Sequence, residues 1–147
     1  MNSGMTIIVK TVTRITVWII ILFSFYIIFH GHLTPGGGFG GGVILALAFL
    51  NVMLAYGKDF TGKWLKIKVL QDVESSSATL FLVMGILGMA WGGAFLANFM
   101  SHGTLFRLIS SGTILPLNII IGIKVGMSLF LVVWVLAGIN VEKGDDE

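Results

Sequence analysis

The chain has 147 residues, 56% of them apolar and only 11% charged. An average soluble domain carries roughly 25% charged residues, so this composition excludes a disordered chain and an ordinary soluble enzyme. Cysteine is absent, which excludes a disulfide framework and a Cys nucleophile, and a net charge of +2 is too small to mark a nucleic-acid binder.

A bilayer core about 30 Å thick takes about 20 apolar residues as helix. Four stretches meet that length, at about 11–30, 35–56, 76–100 and 113–139. The first is too long for a signal-peptide core and lacks a small-residue cleavage site, so it reads as a span. Lys10 and Arg14 precede span one, Lys58, Lys63, Lys66 and Lys68 separate spans two and three, and Lys143 follows span four. Only Arg107 lies on the other side. By the positive-inside rule both termini face the cytoplasm. The expected fold is an all-α integral membrane protein with four transmembrane helices. The chain reads as a single multi-pass domain over 1–147, placed in the cell membrane. The 57–76 connection interleaves Trp64, Leu65, Ile67, Val69 and Leu70 with lysines. It reads either as an amphipathic piece at the interface or as a plain polar loop.

Span two poses a length problem. Val43–Tyr56 gives only about 21 Å of helix at 1.5 Å per residue. Crossing requires the run from Pro35 to Gly42 at membrane depth, with Thr34 as N-cap and Pro35 as first helical residue. Each helical glycine costs roughly 0.8–1 kcal/mol relative to Ala, so such a run needs an offset. It is expected to pack closely on a neighbouring backbone or to line a hydrated cavity, the alternative being a flexible outer loop. Gly36, Gly38 and Gly41 fit G-x-G-x-x-G, but no strand precedes them, so no nucleotide site is implied. Gly85, Gly88 and Gly92 in span three, and Gly122 and Gly126 in span four, form small-residue faces for helix contact within the chain or with a partner.

Lys124 falls deep in span four, where an ammonium costs roughly 2.5–3.5 kcal/mol and cannot snorkel out. No acid of the chain lies at that depth. Lys124 is therefore read as part of a proton or ion path, as a structural pair with an acid of another subunit, or as a locally hydrated charge. His30 and His32 end span one and His102 ends span three. Interfacial hydrogen bonding or capping fits them better than haem ligation, and proton entry through His30 or His32 is a lesser option. Asp72 and Glu74 read as an interfacial cap before span three. No Ser/His/Asp set or paired carboxylate shares one depth, so no hydrolytic chemistry is expected. A self-sufficient homo-oligomeric transporter would favour a membrane acid as coupling site, and none is present.

The run from Phe29 through His30, Gly31, His32, Leu33, Thr34, Pro35, Gly36, Gly37, Gly38, Phe39, Gly40 and Gly41 to Gly42 strongly resembles the signature of the MnhB family. That family is the B subunit of multisubunit Na⁺/H⁺ antiporters of the Mrp (Mnh) type. A second segment, from Ser111 through Pro116, Asn118, Gly122 and Lys124 to Val125, resembles it too. The resemblance implies a small four-helix subunit of a hetero-oligomeric complex, without cofactor, redox centre or catalytic residue of its own. Its partners would be other membrane subunits, and it would help form or seal an ion path. A similar module occurs in membrane-bound hydrogenases and related ferredoxin-dependent complexes, which gives the alternative parent complex. The transferable motif residues are Pro35, Gly36, Gly37, Gly38, Phe39, Pro116, Asn118, Gly122 and Lys124.

Overall fold

The computed structural model describes residues 5–33, 35–99 and 111–142, with side chains described as far as 138. Thr34, His102 and Arg107, on which expectations were placed, lie outside the described residues, as do Met100 and Lys143. The helices are α1 Ile7–Phe29, α2 Gly37–Tyr56, α3 Lys58–Leu65, α4 Ile67–Gly92 and α5 Ile114–Glu142. All but α3 are long and apolar enough to cross a membrane.

The long helices form a row in the order α1, α2, α5, α4. α2 packs along α1 on one side and α5 on the other, while α4 leans on α5. α2 is accordingly the most buried of the four. Its contact with α1 follows from helical spacing: Thr13, Val17, Ser24 and Ile28 fall on one stripe of α1 and are all buried. On the other side, Phe130 of α5 is fully buried and meets Phe49 edge-on, with ring centroids 5.8 Å apart. Met53, Ala46 and Leu70 complete that cluster, which ties α2, α4 and α5 together.

Several boundaries differ from expectation, each for a local reason. α2 starts at Gly37, with Gly36 in the cap position, not at Pro35. The chain enters α2 through Gly36 at φ +130° and Gly37 at φ +59°, a left-handed entry that suits glycine. Pro35 is a turn residue ahead of it. In the 57–76 connection a short helix forms over Lys58–Leu65, and α3 lies against the foot of α5. A Cβ at Gly62 would stand 2.6 Å from the Trp134 ring, and the Lys58 ammonium lies 5.3 Å from that ring's centroid. Lys66 takes a left-handed conformation at φ 45°, and α4 then starts at once from Ile67 rather than near 76. Asp72 and Glu74 are thus inside α4 and do not cap it.

α4 ends at Gly92, before 100. Gly93 at φ +75° turns the chain, and Phe95, Leu96 and Ala97 fold back onto Gly85, Gly88 and Gly92. That small-residue face is therefore covered by the chain's own return segment. Asn98 then caps α5. Its side-chain oxygen accepts from the Thr113 backbone N–H and hydroxyl, each at 3.0 Å. Pro116 sits in the first turn of α5, where its missing N–H leaves no intrahelical bond unmade.

The closest packing is where α2 crosses α5. A Cβ at Gly42 would lie 2.6 Å from the Gly122 carbonyl oxygen and 2.9 Å from the Val125 Cβ. One at Gly122 would lie 3.3 Å from the Gly38 oxygen, and one at Gly126 3.2 Å from the Gly42 oxygen. A Cβ at Gly38 would strike the Asn118 backbone itself. Gly38/Gly42 and Gly122/Gly126 are both four-residue steps, so two small-x-x-x-small faces interlock. Gly41 faces the opposite way, onto Ile28 and Ser24 of α1, and the Ser24 hydroxyl donates to the Gly41 carbonyl at 2.8 Å. The run therefore packs against backbone on two sides, which offsets its poor helix propensity.

Gly40 is the exception, with nothing within 4 Å of its Cβ position. Gly40→Ala is expected to leave thermal stability in detergent unchanged or to raise it by up to about 1 kcal/mol, through propensity alone. Gly42→Ala is expected to lower it by about 1–3 kcal/mol, because the helices must separate. A thermal melt of the two variants against the parent checks both signs.

Candidate functional site

The two motif segments meet in space. The turn linking α1 to α2 carries His30, Gly31 and His32, and a Cβ at Gly31 would lie 2.8 Å from the Asn118 amide nitrogen of α5. Asn118 thus sits against the turn and the first residues of α2. Further along α5 come Gly122, in the crossing, and Lys124, which points away from it toward α4.

Lys124 forms an ion pair with Glu74 of α4. It is the only ion pair among the described residues. This corrects the expectation that no acid of the chain could reach Lys124. Because α4 starts at Ile67, Glu74 lies about 10 Å along the helix from that start, at 1.5 Å per residue. Lys124 is likewise about 15 Å from the start of α5. A carboxylate and an ammonium that satisfy each other reduce the cost either would carry alone in lipid. The side chains keep 40% and 25% of their surface open, so the pair borders open space and is not sealed in a core.

That space consists of two clefts on the same flank of α5. One, of about 410 Å³, is lined by Phe39 of α2, Phe81 of α4 and, on α5, Ile121, Lys124 and Ser128 among others. The second, of about 360 Å³, is lined by Glu74, Ser128, Val132 and Val135 among others. Ser128 belongs to both, one helical turn beyond Lys124. The pair and this hydroxyl are therefore polar groups in otherwise apolar walls. Phe39 brings the first motif to the same cleft as Lys124.

The histidines lie elsewhere. His30 ends α1, its ring stacked on Tyr26 at 4.3 Å, with Nδ1 3.0 Å from the Tyr26 carbonyl oxygen. Asn118, beside this turn, precedes Lys124 on α5 by about 9 Å of helix. The structure joins Lys124 to Glu74 and does not bring His30 or His32 into that pair. Glu74, Asn98 and Ser24 were not singled out from the sequence as working residues. The helical spacing of Leu70, Val73 and Ser77 around Glu74 was the available signal that α4 starts early.

This architecture, with four spanning-type helices and one internal charge pair, defines a multi-pass membrane protein. Residues 8–131 match the family model described as a domain related to the MnhB subunit of Na⁺/H⁺ antiporter, and the chain belongs to that family. Among similar proteins, an uncharacterized protein of Methanocaldococcus jannaschii is 40% identical over 101 residues, covering 65% of this chain and 38% of that protein. A Staphylococcus aureus (strain Newman) protein named "Putative antiporter subunit mnhB2" is 34% identical over 95 residues, covering 63% of this chain and 65% of that protein. The match thus spans about two fifths of the archaeal relative and just under two thirds of the staphylococcal one.

The pair can be tested by a double-mutant cycle. Lys124→Met and Glu74→Gln are each expected to lower thermal stability in detergent. The loss should fall below the roughly 3–5 kcal/mol typical of a fully buried pair, because these side chains are partly open. Lys124→Met combined with Glu74→Gln should recover much of the loss, giving a coupling of roughly 0.5–3 kcal/mol. Simple additivity would show that the two groups do not interact.

Proposed function

We propose that the chain is a non-catalytic membrane subunit of a multisubunit Na⁺/H⁺ antiporter module. In this reading the Lys124–Glu74 pair forms part of an ion path shared with neighbouring subunits. Family membership supports the first part. The observation that carries the second is the pair itself, with Lys124 lining one cleft, Glu74 the other, and Ser128 lining both. A fixed structural pair needs only opposite charges, whereas a path needs groups that can exchange a proton or rearrange around an ion. Lys124→Arg separates these roles, because its guanidinium stays charged.

The reading also places both termini and α3 on the cytoplasmic side, following the lysines and Arg14. The chain lacks cysteine, so a single Cys at Lys63 or at Leu33 reports the side directly. Position 33 should react with an impermeant thiol reagent from outside intact cells, and position 63 should not. The reverse pattern would invert the topology.

Function is tested by affinity purification in mild detergent with mass spectrometry of co-purifying subunits. Transport is measured in everted vesicles of the same strain. Antiporter-type membrane subunits should co-purify with the chain, and Na⁺/H⁺ exchange should fall at least tenfold in Lys124→Arg while the complex still assembles. Co-purification of Fe–S or nickel-containing subunits would assign the chain to a redox-driven complex instead. A chain that transports ions alone, as a homo-oligomer, would overturn the subunit reading. Normal exchange in an assembled Lys124→Arg complex would remove Lys124 from the path.

A further inference from the structure

A separate cleft of about 430 Å³ opens between α1, the end of α2 and α3. Its wall on α1 changes character along the helix. Arg14 stands nearest the α3 end, Trp18 follows, and Ile21 lies about 10 Å deeper along the axis. Facing it are Val52 and Tyr56 of α2 with Phe60 and Trp64 of α3. The aromatic side is held in place from both ends. Tyr56 donates its hydroxyl to the Lys10 carbonyl at 3.1 Å, and its ring stacks on Phe60 with centroids 5.0 Å apart. The Lys10 ammonium lies 5.9 Å from the Tyr56 ring centroid.

Arg14 is exposed and makes no ion pair among the described residues. Asp59, the acid of α3, does not pair with it. The cleft therefore offers a cation at its mouth, an aromatic collar, and an aliphatic floor of Val17, Ile21 and Val52. That gradient is complementary to a molecule with an anionic head and an apolar tail. A basic pocket between spanning helices suits an anionic headgroup, and Trp and Tyr suit the interfacial layer.

We propose that this cleft binds one anionic phospholipid, with its phosphate against Arg14 and an acyl chain running along Val17 and Ile21. Trp18 and Trp64 both line the cleft, so they report occupancy directly. The full-length chain carrying Trp91→Phe and Trp134→Phe is reconstituted in phosphatidylcholine vesicles. Brominated phosphatidylglycerol or brominated phosphatidylcholine is then titrated in, and tryptophan quenching is followed. Phosphatidylglycerol should quench at about fivefold lower mole fraction, the preference one basic side chain confers. Arg14→Gln should abolish that preference, while Arg14→Lys, and Lys68→Gln on α4 away from the cleft, should keep it. Circular dichroism of each variant checks that helicity is unchanged. Equal quenching by the two lipids, or a preference that survives Arg14→Gln, would overturn the proposal. So would failure of both lipids to quench, which would mean that protein fills the cleft. Loss of the preference on adding millimolar glycerol phosphate would reveal a free-phosphate site and overturn the lipid assignment.

Discussion

At the crossing of α2 and α5 the two backbones approach so closely that Gly38 and Gly42 have no room for a Cβ, and one at Gly122 or Gly126 would press on a facing α2 carbonyl at 3.3 or 3.2 Å. In lipid the hydrophobic effect supplies little attraction between helices, so close backbone packing and buried hydrogen bonds must hold them. This contact does so on one side of α2. On the other, Gly41 lets the Ser24 hydroxyl of α1 reach a main-chain carbonyl. A helix made of poor helix formers thus becomes the most buried element of the row. The remaining contacts depend on that placement. Phe130 reaches Phe49 because α5 lies against α2, and α4 is held mainly through α5.

The crossing also sets which way the charges point. Gly122 and Gly126 turn one face of α5 toward α2, so Lys124, between them in sequence, is carried to a different face. There it meets Glu74, and the net-neutral pair can lie within an apolar flank that would reject either charge alone. Close packing and charge placement are thus two consequences of one helix periodicity. The cleft at Lys124 remains because α4 touches α5 and leaves the start of α2 partly open, with Phe39 on its wall.

Much of this was legible in the residues. The number of spanning helices follows from apolar length, and the demand of the glycine run for a tightly packed neighbour follows from propensity. The expense of an unpaired Lys124 left a proton path, a pair with an acid of another subunit or a hydrated charge open, and the structure pairs it with Glu74 of its own chain. The identity of that partner was hidden by one boundary. Lysines between 58 and 68 read as an interfacial amphipathic piece or a polar loop, with Asp72 and Glu74 as a cap before the helix. The left-handed Lys66 instead ends α3 and lets α4 start at Ile67, carrying Glu74 inward. The return of Phe95–Ala97 onto Gly85, Gly88 and Gly92 was hidden for a different reason. A continuous apolar stretch does not reveal that Gly93 reverses the chain. Periodicity identified the small faces, but whether a face meets its own chain or another chain is a tertiary fact.

The account rests on the glycine faces of α2 and α5 being used within one chain. Leu45→Cys with Gly126→Cys tests this most directly. A Cβ at 126 would lie 3.3 Å from the Leu45 Cβ, close to disulfide spacing, and replacing Leu45 removes the methyl that would press on it. Mild oxidation in native membranes should give an intramolecular disulfide, seen as a faster-migrating monomer on non-reducing gels. A disulfide-linked dimer, or no cross-link at all, would contradict the account.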